Sequence, residues 1–220
     1  EGLSNIYELL MELCRTHDKK LFNDLLEFND EEGRTIIMKL LPMVKSTQKF
    51  EKLLDKIIEY HALNVFNDFY CKTDKQGNTI LHHLTRHCTN ANLIEIFWEK
   101  LNTRNFLPSQ CKQIIFHQNH NGDVFILSAF YFVKENYNAN NYYKVAEQKK
   151  IHKEKIEKIF KILHKKMKEE ELRELVLVKN AKFDSVFHMS VLNDEAFNSM
   201  IKLVENPSEN LAKPDFLQHS

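Results

Sequence analysis

One short pattern recurs along the chain and limits what it can fold into. Three of the four glycines lie three residues after an Asp or Asn and two residues before Thr or Val, where an apolar run begins. The segments DEEGRTIIMKLL, DKQGNTILHHLT and NHNGDVFILSAF begin at Asp30, Asp74 and Asn119, and a fourth, NAKFDSVFHMSV, begins at Asn180 with Phe183 at the glycine position. The glycine positions are 44, 45 and 61 residues apart. Self-similarity at such intervals is typical of repeat architectures.

Each segment has the residues of a tight turn that leads into a helix. An Asp or Asn side chain closes a turn on its own backbone, and glycine adopts a positive φ without steric cost. A Ser or Thr two residues later can cap the helix that follows. Thr35, Thr79 and Ser185 hold that position, with Val124 in the third segment. The sequence therefore predicts four units, each a turn followed by a helix.

The segments between the turns have the pattern of amphipathic helices. Apolar residues recur at spacings of three and four, which is typical of a helix with one buried face, over residues 3–14, 19–28, 49–61, 92–101, 149–168 and 195–204. Further helical turns are predicted at 60–72, 106–118 and 170–179. The chain has only four glycines and four prolines, where average usage gives roughly fifteen and eleven. Because barrels and sandwiches need many special turns, this scarcity favours an all-α fold.

The second segment resembles a known repeat family. The ankyrin motif runs D-x-x-G-x-T-P-L-H-x-A-A, and DKQGNTILHHL matches it at Asp74, Gly77, Thr79, Leu81 and His82. The first segment keeps the Asp, Gly and Thr of the motif, the third keeps the Gly and an Ala, and the fourth keeps only the His. The family period is 33 residues, and the motif's proline is missing throughout. The resemblance is therefore to a divergent version with insertions, and a HEAT-like or unrelated all-α array is the alternative.

The resemblance implies one domain over residues 1–205. This domain would be an all-α helical-repeat solenoid of stacked helix pairs, with an N-terminal capping helix pair at 3–29. The four repeats would span residues 30–73, 74–118, 119–179 and 180–205. Residues 206–220 would form a polar C-terminal tail or linker.

The resemblance also implies a protein–protein interaction module, as the recognition part of a larger regulator or effector. Ankyrin-type solenoids bind a partner protein through a concave surface made of turn tips and the first helix of each pair. The matching turn tips are Arg34, Lys75, Gln76, Asn78, His120, Asn121 and Asp123. The matching exposed positions of the first helices are Lys39, His83, Arg86, His87, Ser128, Tyr131, Met189 and Asn193. His82 and His188 occupy the motif's histidine position and are interpreted as structural bridges between turns.

The alternative function is electrostatic binding of nucleic acid or an anionic membrane. Residues 149–168 contain nine lysines and two glutamates, and a basic helix can bind phosphate backbones or anionic lipid. The segment has no arginine, the residue suited to bidentate phosphate recognition. Its apolar stripe also suits a helix packed on its neighbours with the lysines in solvent. The insertion at 130–144, rich in Tyr and Asn, is interpreted either as a binding loop or as a disordered insert.

Enzymatic and metal chemistry are not predicted. The chain has no phosphate-loop motif, no nucleophile elbow and no catalytic-cysteine context. His83 and His87 have a helical spacing that can hold a metal, but no second clustered pair supports it, so neither a metal nor a cofactor is expected. The four cysteines are scattered, which favours an intracellular setting, cytoplasm or nucleus, with secretion into host cells as the alternative. No signal peptide or apolar run of membrane-spanning length is recognised.

Overall fold

The structure, a computed structural model, is built of helices. It describes residues 2–16, 18–44, 46–60, 69–88, 90–102, 108–135, 142–190 and 198. Helices make up 70% of it, and no strand occurs in these residues beyond isolated bridges in the turns. The all-α prediction is confirmed. The predicted helix at 195–204, the end of the domain at 205 and the tail at 206–220 lie outside the described residues, apart from Asn198.

Eleven helices follow one another within the described residues. They are α1 Gly2–Thr16, α2 Lys19–Glu27, α3 Ile36–Leu40, α4 Thr47–Tyr60, α5 Ile80–His87, α6 Asn92–Asn102, α7 Pro108–Ile115, α8 Phe125–Glu135, α9 Tyr142–Lys166, α10 Glu169–Leu177 and α11 Val186–Ser190. A short 3₁₀ turn, Leu41–Met43, continues α3. The predicted helices at 106–118 and 170–179 are present as α7 and α10, and α9 begins seven residues before the predicted start.

The helices that follow the four turns lie side by side. Helix α3 packs on α5, α5 packs extensively on α8, and α8 packs on α11. A second set of helices packs behind them, since α4 contacts α6 and α6 contacts α9. The N-terminal pair α1 and α2 packs on itself and on α3. The core between these helices contains the fully buried rings of Phe50, Phe97, Trp98, Phe125 and Phe160.

The predicted apolar faces are confirmed in α4 and α9 and corrected in α2. Over residues 19–28, the spacing of Leu21, Leu25 and Phe28 predicts that these three residues are buried. The structure instead buries Phe22 and Leu26 and leaves Leu21 and Phe28 exposed. The apolar residues of this short helix come in two adjacent pairs, Leu21 with Phe22 and Leu25 with Leu26, so the periodicity alone fits either face. The face that packs is the one that buries the larger ring.

The interpretation that the lysines of α9 lie in solvent is wrong for one of them. Lys155 is only 4% exposed, and its Nζ donates a hydrogen bond to the carbonyl oxygen of Arg86 at 3.1 Å. That carbonyl belongs to the last turn of α5, where carbonyl groups have no partner within the helix. Lys161 and Lys165, further along α9, are exposed as predicted.

Candidate functional site

The four predicted turns share one geometry. In each turn, Oδ1 of the leading Asp or Asn accepts hydrogen bonds from the backbone N–H groups two and four residues later, at 2.8 to 3.0 Å. The residue at the glycine position has a positive φ, which is 74° at Gly33, 79° at Gly77, 77° at Gly122 and 62° at Phe183. The predicted turns and their common register are therefore confirmed in all four segments.

Backbone hydrogen bonds join consecutive turns into a row. In each pair of consecutive turns, the donor is the backbone N–H of the residue two positions before the glycine position of the later turn. The acceptor is the carbonyl oxygen of the residue directly before the glycine position of the earlier turn. These bonds join Lys75 to Glu32, His120 to Gln76 and Ala181 to Asn121, at 2.9, 2.9 and 2.8 Å. The same two turn positions meet each time, although the third and fourth glycine positions are 61 residues apart and the others are 44 and 45 residues apart. The additional residues between the third and fourth turns therefore leave the row of turns unchanged.

Buried side-chain amides make a second connection between turns. Asn119 Nδ2 donates to Asn78 Oδ1 at 2.8 Å, and Asn180 Nδ2 donates to Asp123 Oδ1 at 2.8 Å. Asn78 and Asp123 are 9% and 2% exposed. The prediction that these two residues are exposed contact tips is wrong. Each instead uses its side chain as the acceptor for the leading Asn of the next turn.

His82 bridges two turns, as predicted. Its Nδ1 lies 2.8 Å from Thr79 Oγ1 and accepts the Thr79 N–H at 3.3 Å, while Nε2 lies 2.9 Å from the Asp123 carbonyl oxygen. Because Nδ1 accepts a backbone N–H, we assign the proton to Nε2, which donates to Asp123. Burial lowers the pKa of His82 to about 4, so the ring is neutral at pH 7. His188 repeats the local part of this arrangement, with Nδ1 2.8 Å from Ser185 Oγ.

His83 was predicted to face solvent, and this prediction is wrong. The ring is 6% exposed, and its Nε2 lies 2.9 Å from Asp74 Oδ2. Burial raises the pKa of Asp74, but hydrogen bonds from His83 and Asn78 outweigh it and lower the pKa to about 2. The second carboxylate oxygen of a buried turn Asp needs a partner of its own, and His83 supplies it.

A sequence signal for this role exists but was missed. The residue nine after the leading Asp or Asn is Lys39, His83, Ser128 and Met189 in the four units. It is basic where the turn begins with Asp and uncharged where the turn begins with Asn. In the first unit, Lys39 Nζ lies 3.4 Å from Asp30 Oδ2, at the position that His83 holds toward Asp74. The pattern indicates that this position supplies a partner for the second oxygen of the turn carboxylate.

Ser128 is another predicted contact residue that the structure buries, with 1% exposure. It lies on α8, which packs closely against α5. Thr85 Oγ1 of α5 donates to the Phe125 carbonyl oxygen at 2.6 Å, so the two helices approach at hydrogen-bond distance. The position of Ser128 in the repeat motif predicted that it is exposed, because the motif does not take account of the packing of α8 on α5.

The remaining predicted residues form the surface that stays open to solvent. Four turn-tip residues are exposed, and five others are partly exposed. We call this set the tip surface: Lys75, Gln76, His120 and Asn121, with Arg34, Lys39, Arg86, His87 and Met189 beside them. The side chain of Tyr131, the residue Asn193 and residues 136–141 of the predicted insertion lie outside the described part of the chain.

Basic groups gather at the end of α5, which contributes Arg86 and His87 to the tip surface. The rings of His83 and His87 stack with centroids 5.4 Å apart. Burial, with the neighbouring His83, Arg86 and Lys155, lowers the pKa of His87 to about 4. Burial also lowers the pKa of Lys155 to about 8. Within the described ranges, no three His, Cys, Asp or Glu side chains are grouped as a metal site.

The chain matches no protein-family model, no curated protein and no solved structure. Among the helices that the structure describes, none combines the length and the apolar character needed to cross a bilayer. The function proposed below is therefore argued from the geometry of the chain's own residues.

Proposed function

We propose that this chain is an ankyrin-type helical-repeat solenoid that binds a partner protein through the tip surface. One observation supports this above the others: the same two turn positions meet three times, which places the four turns in one row. The helices that follow the turns also pack in chain order. Repeats stacked in this way present an extended surface, and solenoids use such surfaces for binding.

The chemistry of the tip surface suits a polar partner. Its exposed side chains supply hydrogen-bond donors, from the lysine, glutamine, histidine and asparagine of the second and third turns, and Arg86 adds a guanidinium. A partner segment with carboxylates or free carbonyl groups would complement them. The predicted contact residues that are buried hold the turns in place. They therefore influence binding only by fixing the positions of the exposed turn tips.

A variant of the tip surface tests the proposal. We expect Lys75→Ala, Gln76→Ala, His120→Ala and Asn121→Ala together to weaken binding at least about tenfold, because central interface residues carry most of the binding energy. The measurement is the dissociation constant for a partner captured by the wild-type chain and then purified. Helicity by circular dichroism should be unchanged, because these side chains are exposed and the row depends on their backbone groups.

The matched control changes four exposed polar residues away from the turns: Gln48→Ala, Lys52→Ala, Gln113→Ala and Lys161→Ala. This variant should bind as the wild type does. If the control loses as much affinity as the tip variant, or if the tip variant retains full affinity, the tip surface is not the binding site.

The same experiment separates the electrostatic alternative. In the described part of α9, Lys155 is buried, and Lys165 and Lys166 lie 3.6 and 3.5 Å from Glu95 and Glu99. A nucleic acid or anionic vesicle that binds through α9 would do so with a steep salt dependence. Its affinity would also fall in the control variant, which removes Lys161, and persist in the tip variant.

A further inference from the structure

Within the described part of the chain, the row of turns ends at the first and the fourth turn, and the backbone groups at these two ends are complementary. Within the row, the residue two before the glycine position donates its N–H to the preceding turn. Glu31 holds that position in the first turn, and Lys182 holds the matching acceptor position in the fourth. Both residues are exposed. A second copy of the chain could thus place its first turn on the fourth turn of another copy, and such a head-to-tail contact repeats into an open filament.

Stacking of one turn on the next requires a residue without a Cβ atom. A Cβ on Gly33 would lie 3.0 Å from the Lys75 nitrogen, and a Cβ on Gly77 would lie 2.9 Å from the His120 nitrogen. At Gly122 the distance to the Ala181 nitrogen would be 2.9 Å. At 2.9 Å a Cβ forces the backbone of the next turn to shift, and at 3.0 Å the next turn must give way by a few tenths of an ångström. The glycines are therefore needed for the approach of the next turn as well as for their positive φ.

The fourth turn has Phe183 where the other three have glycine. Its φ is 62°, a backbone conformation that is rare for a bulky residue. Its side chain is 75% exposed, so core packing does not account for its presence. A Gly or Asn would adopt this φ with less strain. Strain that is retained at an exposed position points to a role for the side chain itself.

We propose that Phe183 prevents the first turn of a second copy of this chain from stacking on the fourth turn. A Cβ at this position occupies the space that the incoming first turn would need, as it would at Gly33, Gly77 and Gly122, so the N–H of Glu31 in another copy cannot reach the Lys182 carbonyl. The device resembles the protection of an edge strand, where a bulky or charged residue prevents unwanted pairing. It does not depend on whether the tip surface binds a partner.

Sedimentation velocity of the full chain over a range of concentrations tests this proposal. Phe183→Gly removes the Cβ and the ring, and we expect it to form concentration-dependent oligomers beyond any seen for the wild type. Phe183→Ala is the matched control, because it removes the ring and keeps the Cβ; it should sediment as the wild type does. Circular dichroism should show equal helicity in all three proteins.

A second change identifies the contact. Glu31→Pro removes the donor N–H, and proline suits this second position of the turn. Added to Phe183→Gly, it should restore wild-type sedimentation. The proposal is overturned if Phe183→Gly associates no more than the wild type, if Phe183→Ala associates as strongly as Phe183→Gly, or if Glu31→Pro leaves the oligomers unchanged.

Discussion

Asp74 shows how much of the second turn depends on a single side chain. Its Oδ1 accepts two backbone N–H groups, and its Oδ2 accepts from Asn78 Nδ2 at 3.1 Å and meets His83 Nε2 at 2.9 Å. The residue is 5% exposed, so each of these groups would be costly to leave without a partner. In the third turn the leading residue is uncharged: Asn119 Nδ2 donates to Asn78 Oδ1 of the preceding turn at 2.8 Å, and Ser128 holds the sequence position of His83.

This comparison predicts coupling between Asp74 and His83. We expect Asp74→Asn and His83→Ser each to lower the free energy of unfolding by about 1–3 kcal/mol, because each leaves a buried polar group without its partner. Both single variants remove the same contact between Asp74 Oδ2 and His83 Nε2, so the loss in the double variant should be clearly smaller than the sum of the two single losses. Urea unfolding of the four proteins measures this coupling. Additive losses would show that the two side chains do not act as a pair.

At the scale of the elements, His82 ties the start of α5 to the next turn. Its Nδ1 completes the capping of α5 with Thr79, and its Nε2 holds the Asp123 carbonyl oxygen. The imidazole ring is 1% exposed. A protonated ring would place a second N–H against the Thr79 N–H in a site without water contact. The junction between these two elements therefore requires the neutral ring.

This requirement predicts a loss of stability in mild acid. The pKa of His82 falls from 6.5 to about 4 in the folded chain because of burial, so the unfolded chain binds the proton more tightly. The stabilisation is complete above pH 6.5 and is lost as the pH falls from 6.5 toward 4, by about 3 kcal/mol. Unfolding free energies measured between pH 7 and 4 check this. His82→Gln should be less stable at pH 7 and less sensitive to pH in this window; an unchanged pH dependence would contradict the assignment.

The turns and most of the helices could be predicted from the sequence, because local chemistry decides them. Asp, Gly and Thr at fixed spacing specify a turn and a cap wherever they occur, and apolar spacing of three and four specifies a helix. The partner role of His83 could have been read from the residue at the same position in the other units, but the burial of Lys155 could not, since it depends on which element packs over it. In α2, adjacent Leu21 and Phe22 offered two faces, and only contact with neighbouring helices selects one. The candidate contact set therefore contained residues that the packing hides.

At the scale of the whole molecule, a single row of turns has both an exposed surface and an end. The row sets the positions of the exposed tips, for which we propose partner binding. The glycines permit one turn to stack on the next, and we propose that Phe183 prevents a further turn from stacking on the fourth. Both proposals depend on the hydrogen bonds between consecutive turns, which involve backbone groups of residues whose side chains are exposed.

Hydrogen exchange at these backbone amides tests the row most directly. The amides of Lys75, His120 and Ala181 lie in turns, where exchange is normally fast, but each donates to the preceding turn. The Glu31 amide holds the same turn position at the end of the row and serves as the internal reference. We predict that the three amides exchange at least about a hundredfold more slowly than that of Glu31, because exchange requires separation of the turns. Exchange of all four at similar rates would contradict the stacked row and the binding surface built on it.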